Sequence, residues 1–339
     1  MKTPSLQEQL FEIILNRYER RADAVDALCL LLNLAKDPVY RRIRCDTFLP
    51  PDELSLLARH YGISLDALIM RNSDQISCNF NAFSKRITGF SDYLESFIED
   101  FEKIHRLPNA HLYYASAELP MFTYHLFPEL ISFKLYIWGR TTWNLEFLKN
   151  RQFSLDLVTP PIIRLSQDCL NHYLRLNSTE LWTVQIMDNI LAQIEYHVML
   201  GGFRDPNEAI ILIDRLIDWV NHMKNFALTG KKFNVGEKSE YGSGEINLFY
   251  NEMVYTNITA LITSDVGRMV YTGFCTPNFL RTTDNKLCDY AEEWFSSIIA
   301  KSSRISGESE KLREWYFKEI NQKIERRKQR ILLHIDENF

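Results

Sequence analysis

Four cations fall between positions 36 and 44 of this chain, Lys36, Arg41, Arg42 and Arg44, with Tyr40 among them. An arginine can donate two parallel hydrogen bonds to one guanine, a contact worth roughly 1 to 3 kcal/mol of discrimination, while the other cations neutralise phosphate. If the stretch is helical, Val39 and Ile43 share one face and the cations point elsewhere. The chemistry expected is contact with double-stranded DNA, with Arg41 and Arg42 on bases and Lys36 and Arg44 on phosphate. Tyr40 would touch a base or the backbone, or finish a small core. A solvated helix face has the same composition, so the elements around the cluster must decide.

Those elements are legible from where apolar residues recur. Val25, Leu28, Leu31 and Leu32 mark a helix, and Asn33, a residue that tolerates the left-handed turn conformation, stops it. Leu34 then plugs the angle to a second, short helix from about Asp37 to Arg44, with Pro38 in its first position. After a loop from Thr47 to Pro51, Leu54, Leu57, Ala58 and Tyr61 give another helix, ended by Gly62, and Ser64 caps a last short one carrying Leu65 and Leu68. With the charged amphipathic helix at the N-terminus these make five helices within residues 1–70.

Around Leu28 to Leu32, Asp37 to Arg44 and the phrase Ala58-Arg59-His60-Tyr61-Gly62-Ile63-Ser64-Leu65-Asp66, the chain resembles the Cro and phage-repressor type of helix-turn-helix domain, most closely its BetR-like variant. Where that family usually carries Gly just after the recognition helix, this chain has Cys45. The resemblance covers about a fifth of the chain. It implies a recognition helix that enters the major groove and a homodimer reading two half-sites about one helical turn apart, ~34 Å.

Charge limits that reading. Residues 1–70 hold nine Lys and Arg against ten Asp and Glu, so the domain is not basic and should bind nonspecific DNA weakly, losing it quickly as salt rises. The whole chain carries a net charge of −5, which excludes a polybasic coat as the means of holding nucleic acid. Six scattered cysteines without CxxC pairs read as reduced thiols. The charged N-terminus does not read as a signal peptide, and no apolar run approaches the ~18 residues of a membrane span. A cytoplasmic protein with no membrane partner is expected.

Beyond a polar linker at 71–85, a second domain at 86–339 reads as mainly helical. Phe90, Tyr93, Leu94, Phe97, Phe101 and Ile104 form one stripe, and further helices are expected at 129–150, 161–176, 178–200 and 206–229. Residues 245–276 are rich in β-branched and aromatic types around the turn Ser264-Asp265-Val266-Gly267, which reads as a small antiparallel insertion. Two helices close the chain, the last with Leu312, Tyr316, Ile320 and Ile324 on one stripe. That helix reads as docked with a solvated basic end at Arg326 to Arg330, or as a dimer seam. Phrases such as Phe127-Pro128-Glu129-Leu130 and Gln193-Ile194-Glu195-Tyr196 resemble the C-terminal portion of uncharacterised bacterial regulators with the same kind of head, which implies a regulatory role and supplies no chemistry. The fold class expected is therefore mainly α, a five-helix head followed by a larger helical domain with a small β insertion.

Catalytic patterns are few. The chain has no HExxH, GxxxxGK, GxSxG or Rossmann glycine pattern. Gly242-Ser243-Gly244 lies in a polar loop, and Glu102-Lys103-Ile104-His105 is a single Glu-x-x-His where a di-iron bundle needs two. The aromatic region of Tyr113, Tyr114, Tyr124, Phe127, Trp138 and Trp143 reads first as core. Were it to line a pocket for a small-molecule effector, Glu118, His125 and Glu129 would be its polar groups. The expectation is a transcriptional regulator without enzymatic activity, metal or cofactor. The rival is an interaction scaffold whose head has lost DNA contact.

Overall fold

The structure, a computed structural model, describes residues 4–18, 20–63, 65–69, 75–238, 243–252 and 258–338. The chain divides into two compact units, 1–77 and 78–339.

The first unit consists of α1 (Leu6–Leu15), α2 (Arg21–Leu32), α3 (Lys36–Ile43), α4 (Pro51–Tyr61) and α5 (Leu65–Ile69). Several boundaries have a local cause. The Ser5 hydroxyl accepts from the Glu8 amide while the Glu8 carboxylate accepts from the Ser5 amide, a reciprocal cap on α1. Asn33 ends α2 in the left-handed conformation (φ 52, ψ 47), and Gly62 ends α4 the same way (φ 60). Helix α3 begins at Lys36, one residue before the expected Asp37, and Ala35 at its cap supplies no side-chain bond. Leu10, Phe11, Ile14, Val25, Leu28, Val39 and Leu57 form a core almost sealed from water.

The second unit overturns the expectation of a mainly helical domain with a small antiparallel insertion at 245–276. It holds an eight-stranded mixed sheet. In chain order come β1 (Asn79–Phe80), α6 (Asn81–Ser84), α7 (Phe90–His105), β2 (His111–Ala115), α8 (Pro128–Thr141), α9 (Pro160–Arg175), β3 (Asn177–Trp182), α10 (Asp188–Met199) and α11 (Asn207–Thr229). They are followed by β4 (Ile246–Tyr250), β5 (Thr259–Thr263), β6 (Arg268–Gly273), β7 (Phe279–Thr282), α12 (Asn285–Ala300), β8 (Ser303–Arg304) and α13 (Glu310–Asn338). The spatial order is β1-β7-β6-β5-β2-β3-β4-β8; β2, β3 and β4 are parallel neighbours and every other pairing is antiparallel.

Alternate strand residues face two different helical layers. Leu112 and Tyr114 of β2, with Ala260 and Ile262 of β5, pack into the large core that includes α7 to α11 and α13. Ala115 and Leu261 face the other way, into a smaller core closed by Cys288, Ala291 and Phe295 of α12. The hairpin β5–β6 turns at Ser264, whose hydroxyl accepts from the Gly267 amide and donates to the Gly267 carbonyl.

Strand β3 explains why the sheet was missed. Its sequence is Asn-Ser-Thr-Glu-Leu-Trp, yet five of its six residues are buried. The Glu180 side chain is sealed from water and accepts hydrogen bonds from Tyr173 Oη (2.7 Å), Ser178 Oγ (2.8 Å) and Trp182 Nε1 (3.1 Å). Beside it, fully buried Lys232 donates to the carbonyls of Leu176 (2.7 Å) and Tyr173 (3.3 Å) at the end of α9, with its Nζ 3.8 Å from the centre of the Tyr173 ring. Burial pushes the Lys232 pKa down to about 7, against the pull of the Glu180 charge.

That shift has a sign that can be checked. Between pH 7 and the ordinary lysine value of 10.5 the unfolded chain binds a proton that the folded chain does not, so rising pH favours the folded state across this window. Chemical denaturation at several pH values in the window should show wild type gaining up to about 1.4 kcal/mol per pH unit relative to Lys232→Met. Equal slopes for the two proteins would rule the assignment out.

Candidate nucleic-acid interface

Helices α2 and α3 are joined by only three residues. The Asn33 and Leu34 amides both close onto the Cys29 carbonyl, and half-buried Leu34 packs against the core at the corner. This sets the roll of α3: Val39 and Ile43 are buried, Lys36, Asp37, Arg41 and Arg44 are exposed, and Tyr40 is half-buried with its ring against the core.

The four cations prove to have different surroundings. Arg42 is turned toward α4, where its guanidinium forms a fork with the Glu53 carboxylate (2.5 and 2.8 Å), both side chains being largely shielded. It therefore fastens α3 to α4 and does not lie beside Arg41. Lys36 pairs with Asp26 (2.7 Å), whose carboxylate raises its pKa, and Arg44 pairs with Asp46 (2.9 Å); both pairs are exposed to water and so hold their partners weakly. Arg41 has no ion pair among the described residues and points into solvent. Of the two arginines expected at bases, only Arg41 is presented for that contact.

One feature escaped the sequence reading. The Gln7 side chain, nearly buried, donates to the carbonyls of Arg42 (2.7 Å) and Thr47 (2.8 Å) and accepts from the Leu49 amide (2.9 Å). One amide thus clasps the loop after α3 from both sides of Phe48, whose ring is left 83% exposed. No sequence signal marks this, because Gln7 lies some forty positions from the loop it holds. Cys45, singled out in the sequence just after this helix, adopts φ 61 as α3 ends. That left-handed conformation is costly for a residue with a Cβ.

The proposed effector groups do not converge. The Glu118 carboxylate accepts from Asn189 Nδ2 on α10 (2.6 Å), His125 shares a hydrogen bond with Ser166 Oγ on α9 (2.8 Å), and Glu129 pairs with Arg215 on α11 (3.0 Å). His125 is stacked on Phe97 inside the core, where burial lowers its pKa to about 3 and keeps it neutral. Each group is committed to a different helix.

The remaining candidates for chemistry are structural. The Gly244 amide donates to the Leu174 carbonyl (2.7 Å), and a Cβ there would sit 2.6 Å from the Leu176 oxygen, so close backbone approach accounts for the glycine; Gly242 lies outside the described residues. His105 sits at the end of α7 against the His172 carbonyl (3.1 Å), and among the described residues no group of His, Cys, Asp and Glu could hold a metal. Along α13, Tyr316, Ile320 and Ile324 are buried, while Lys323 pairs with Asp188, Arg327 with Glu195 and Lys328 with Asp214. With Arg330, which also pairs with Glu195 (3.1 Å), three members of its basic cluster are thus spent on docking the helix.

Removing Arg42 and Glu53 singly and together should give a coupling of about 1 kcal/mol in urea unfolding of the head, because the fork is bidentate and shielded. Additive losses would mean that the pair does not fasten α3. By contrast, Cys45→Gly should raise head stability by up to about 1 kcal/mol through relief of the left-handed backbone, and a loss of stability would show that the thiol's contacts outweigh the strain.

Compared with known proteins, the chain matches no family model, no curated protein and no solved structure.

Proposed function

We propose that the first unit binds double-stranded DNA with α3 in the major groove, and that the chain is a DNA-binding regulator whose second unit supplies dimerisation and effector sensing. The observation that carries this reading is the three-residue turn with Asn33 left-handed, which buries Val39 and Ile43 and presents Arg41 outward on one short helix with Arg44 at its C-terminal cap. Within it Arg41 reads a base, Arg44 and Lys36 exchange their weak carboxylate partners for phosphates, and Tyr40 contributes the hydroxyl edge of a ring seated on the core. Arg42 is assigned a positioning role through Glu53.

The same charges favour a second reading. Three of the four cations in and around α3 already have carboxylate partners, and the head as a whole is slightly acidic, which suits a non-enzymatic protein-interaction scaffold. Among the described residues no helix is long and apolar enough to cross a membrane.

Selection of the full chain against a randomised duplex pool at moderate and high salt separates the two. The regulator reading expects enrichment of a two-fold symmetric site. Arg41→Ala should weaken that site roughly 10- to 100-fold and relax selection at one base pair per half-site. Arg42→Ala should weaken binding while leaving the preferred sequence unchanged. No enrichment by wild type at either salt concentration would hand the case to the scaffold.

A further inference from the structure

A single exposed apolar side chain is ordinary on a protein surface, and Leu30 on α2, 85% exposed, needs no account. Phe48 is a different case, because the chain on both sides of it is fixed. Gln7, itself nearly buried, donates to the Thr47 carbonyl (2.8 Å) and accepts from the Leu49 amide (2.9 Å), and half-buried Leu49 packs against the core of the head. From the other side, the Asp46 and Thr47 amides fold back onto the Arg41 carbonyl in the last turn of α3 (2.8 and 3.3 Å). Phe48 therefore stands one residue beyond a backbone bond to Arg41. Hydrogen bonds from α1 and from α3 together hold in place a ring that the head leaves in water.

What such a ring can meet follows from its surroundings. Arg41, Arg44 and Thr47 are exposed on the same short stretch, and α3 is the helix assigned above to the major groove. That groove offers one apolar feature, the C5-methyl group of thymine, which a phenylalanine ring can contact. Arginine pairs with guanine and gives no comparable recognition of an A·T pair. A backbone fixed beforehand loses little freedom when its side chain is covered, so a ring held this way keeps most of the benefit of excluding water.

We propose that Phe48 is a second specificity-determining residue of the head, its ring packing on the C5-methyl group of a thymine near the base pair that Arg41 reads. The inference rests on the DNA-binding reading above and deepens it, since it adds a thymine to the recognised half-site. Because the ring is exposed, replacing it removes no core packing.

The test uses the full chain and the duplex that wild type selects from the randomised pool. Phe48→Ala, selected in parallel, should lose the preference for thymine at one position per half-site and keep the base read by Arg41. On the wild-type site it should weaken binding roughly tenfold, and equally at moderate and high salt, because an apolar contact releases no counterions. Replacing that thymine by deoxyuridine in one half-site removes only the methyl group. The replacement should weaken wild type about fourfold, the worth of one buried methyl, and Phe48→Ala less than twofold. If wild type enriches a site that Phe48→Ala binds with unchanged affinity and sequence, the head remains a DNA-binding unit and the role of Phe48 is overturned. A loss that deoxyuridine does not share overturns it too, by placing the ring on sugar. So does a Phe48→Ala chain that sediments as a monomer where wild type is a dimer, by placing the ring between two copies. Enrichment of no site by wild type overturns this inference and the DNA-binding reading together.

Discussion

The second unit is organised around a carboxylate that has no access to water. Burying an ion costs several kcal/mol unless its surroundings replace the hydration shell, and Glu180 is surrounded by three donors that do so. Tyr173 reaches it from α9, Ser178 and Trp182 from its own strand. Lys232, which enters from the segment after α11, closes the exposed carbonyls of Tyr173 and Leu176 where α9 gives way to β3. The charge of Glu180 offsets part of the cost of burying that ammonium. A one-residue slip of β3 would turn the carboxylate toward the α12 face and leave Tyr173 and Lys232 without it. Packing of the parallel strands, the last turn of α9 and the return from α11 therefore share a single polar centre. Close packing completes it, since Gly244 brings the chain within van der Waals reach of the Leu176 carbonyl, where no Cβ would fit.

This polar centre is also what the sequence concealed. Alternation and periodicity report burial only where one face is wet. The stripe Phe90 to Ile104 on α7, the helices of the head and the stripe on α13 were legible because each has a solvated side. The antiparallel strands β5 and β6, with half-exposed residues beside buried ones, were legible for the same reason. Strand β3, polar in composition and buried on both faces, reads as the first turns of the helix expected at 178–200, and β2 with its paired tyrosines reads as part of an aromatic patch. The fold class followed that error. Residues 79–84, which read as linker, form β1 and α6 at the sheet's far edge, where two residues of pairing to β7 leave little pattern to find.

In the head, the sequence indicated the helices and the turn but not the partners. Which carboxylate meets which arginine depends on how α3 crosses α4, a tertiary fact without local signature. Arg41 and Arg42 are adjacent and chemically identical, yet one is exposed and the other is fixed by Glu53. The same limit applies to Gln7, whose three bonds hold a loop that composition alone would describe as variable.

The charge arrangement of the head bears on how any DNA complex could form. Lys36 and Arg44 are held by solvated carboxylates whose grip is worth a fraction of a kcal/mol, so phosphate oxygens can replace Asp26 and Asp46 at little cost. Arg42 cannot be exchanged so cheaply, because losing Glu53 would leave a shielded carboxylate unpaired. The arrangement thus separates a rigid cation that sets the angle of α3 from labile ones that can change partners. Since labile pairs suppress long-range attraction to phosphate, such a head would rely on Arg41 and on pairing of two copies for affinity, rather than on bulk charge. A head of this kind, were it to bind DNA, would be selective, whereas a polybasic head would bind broadly and discriminate less.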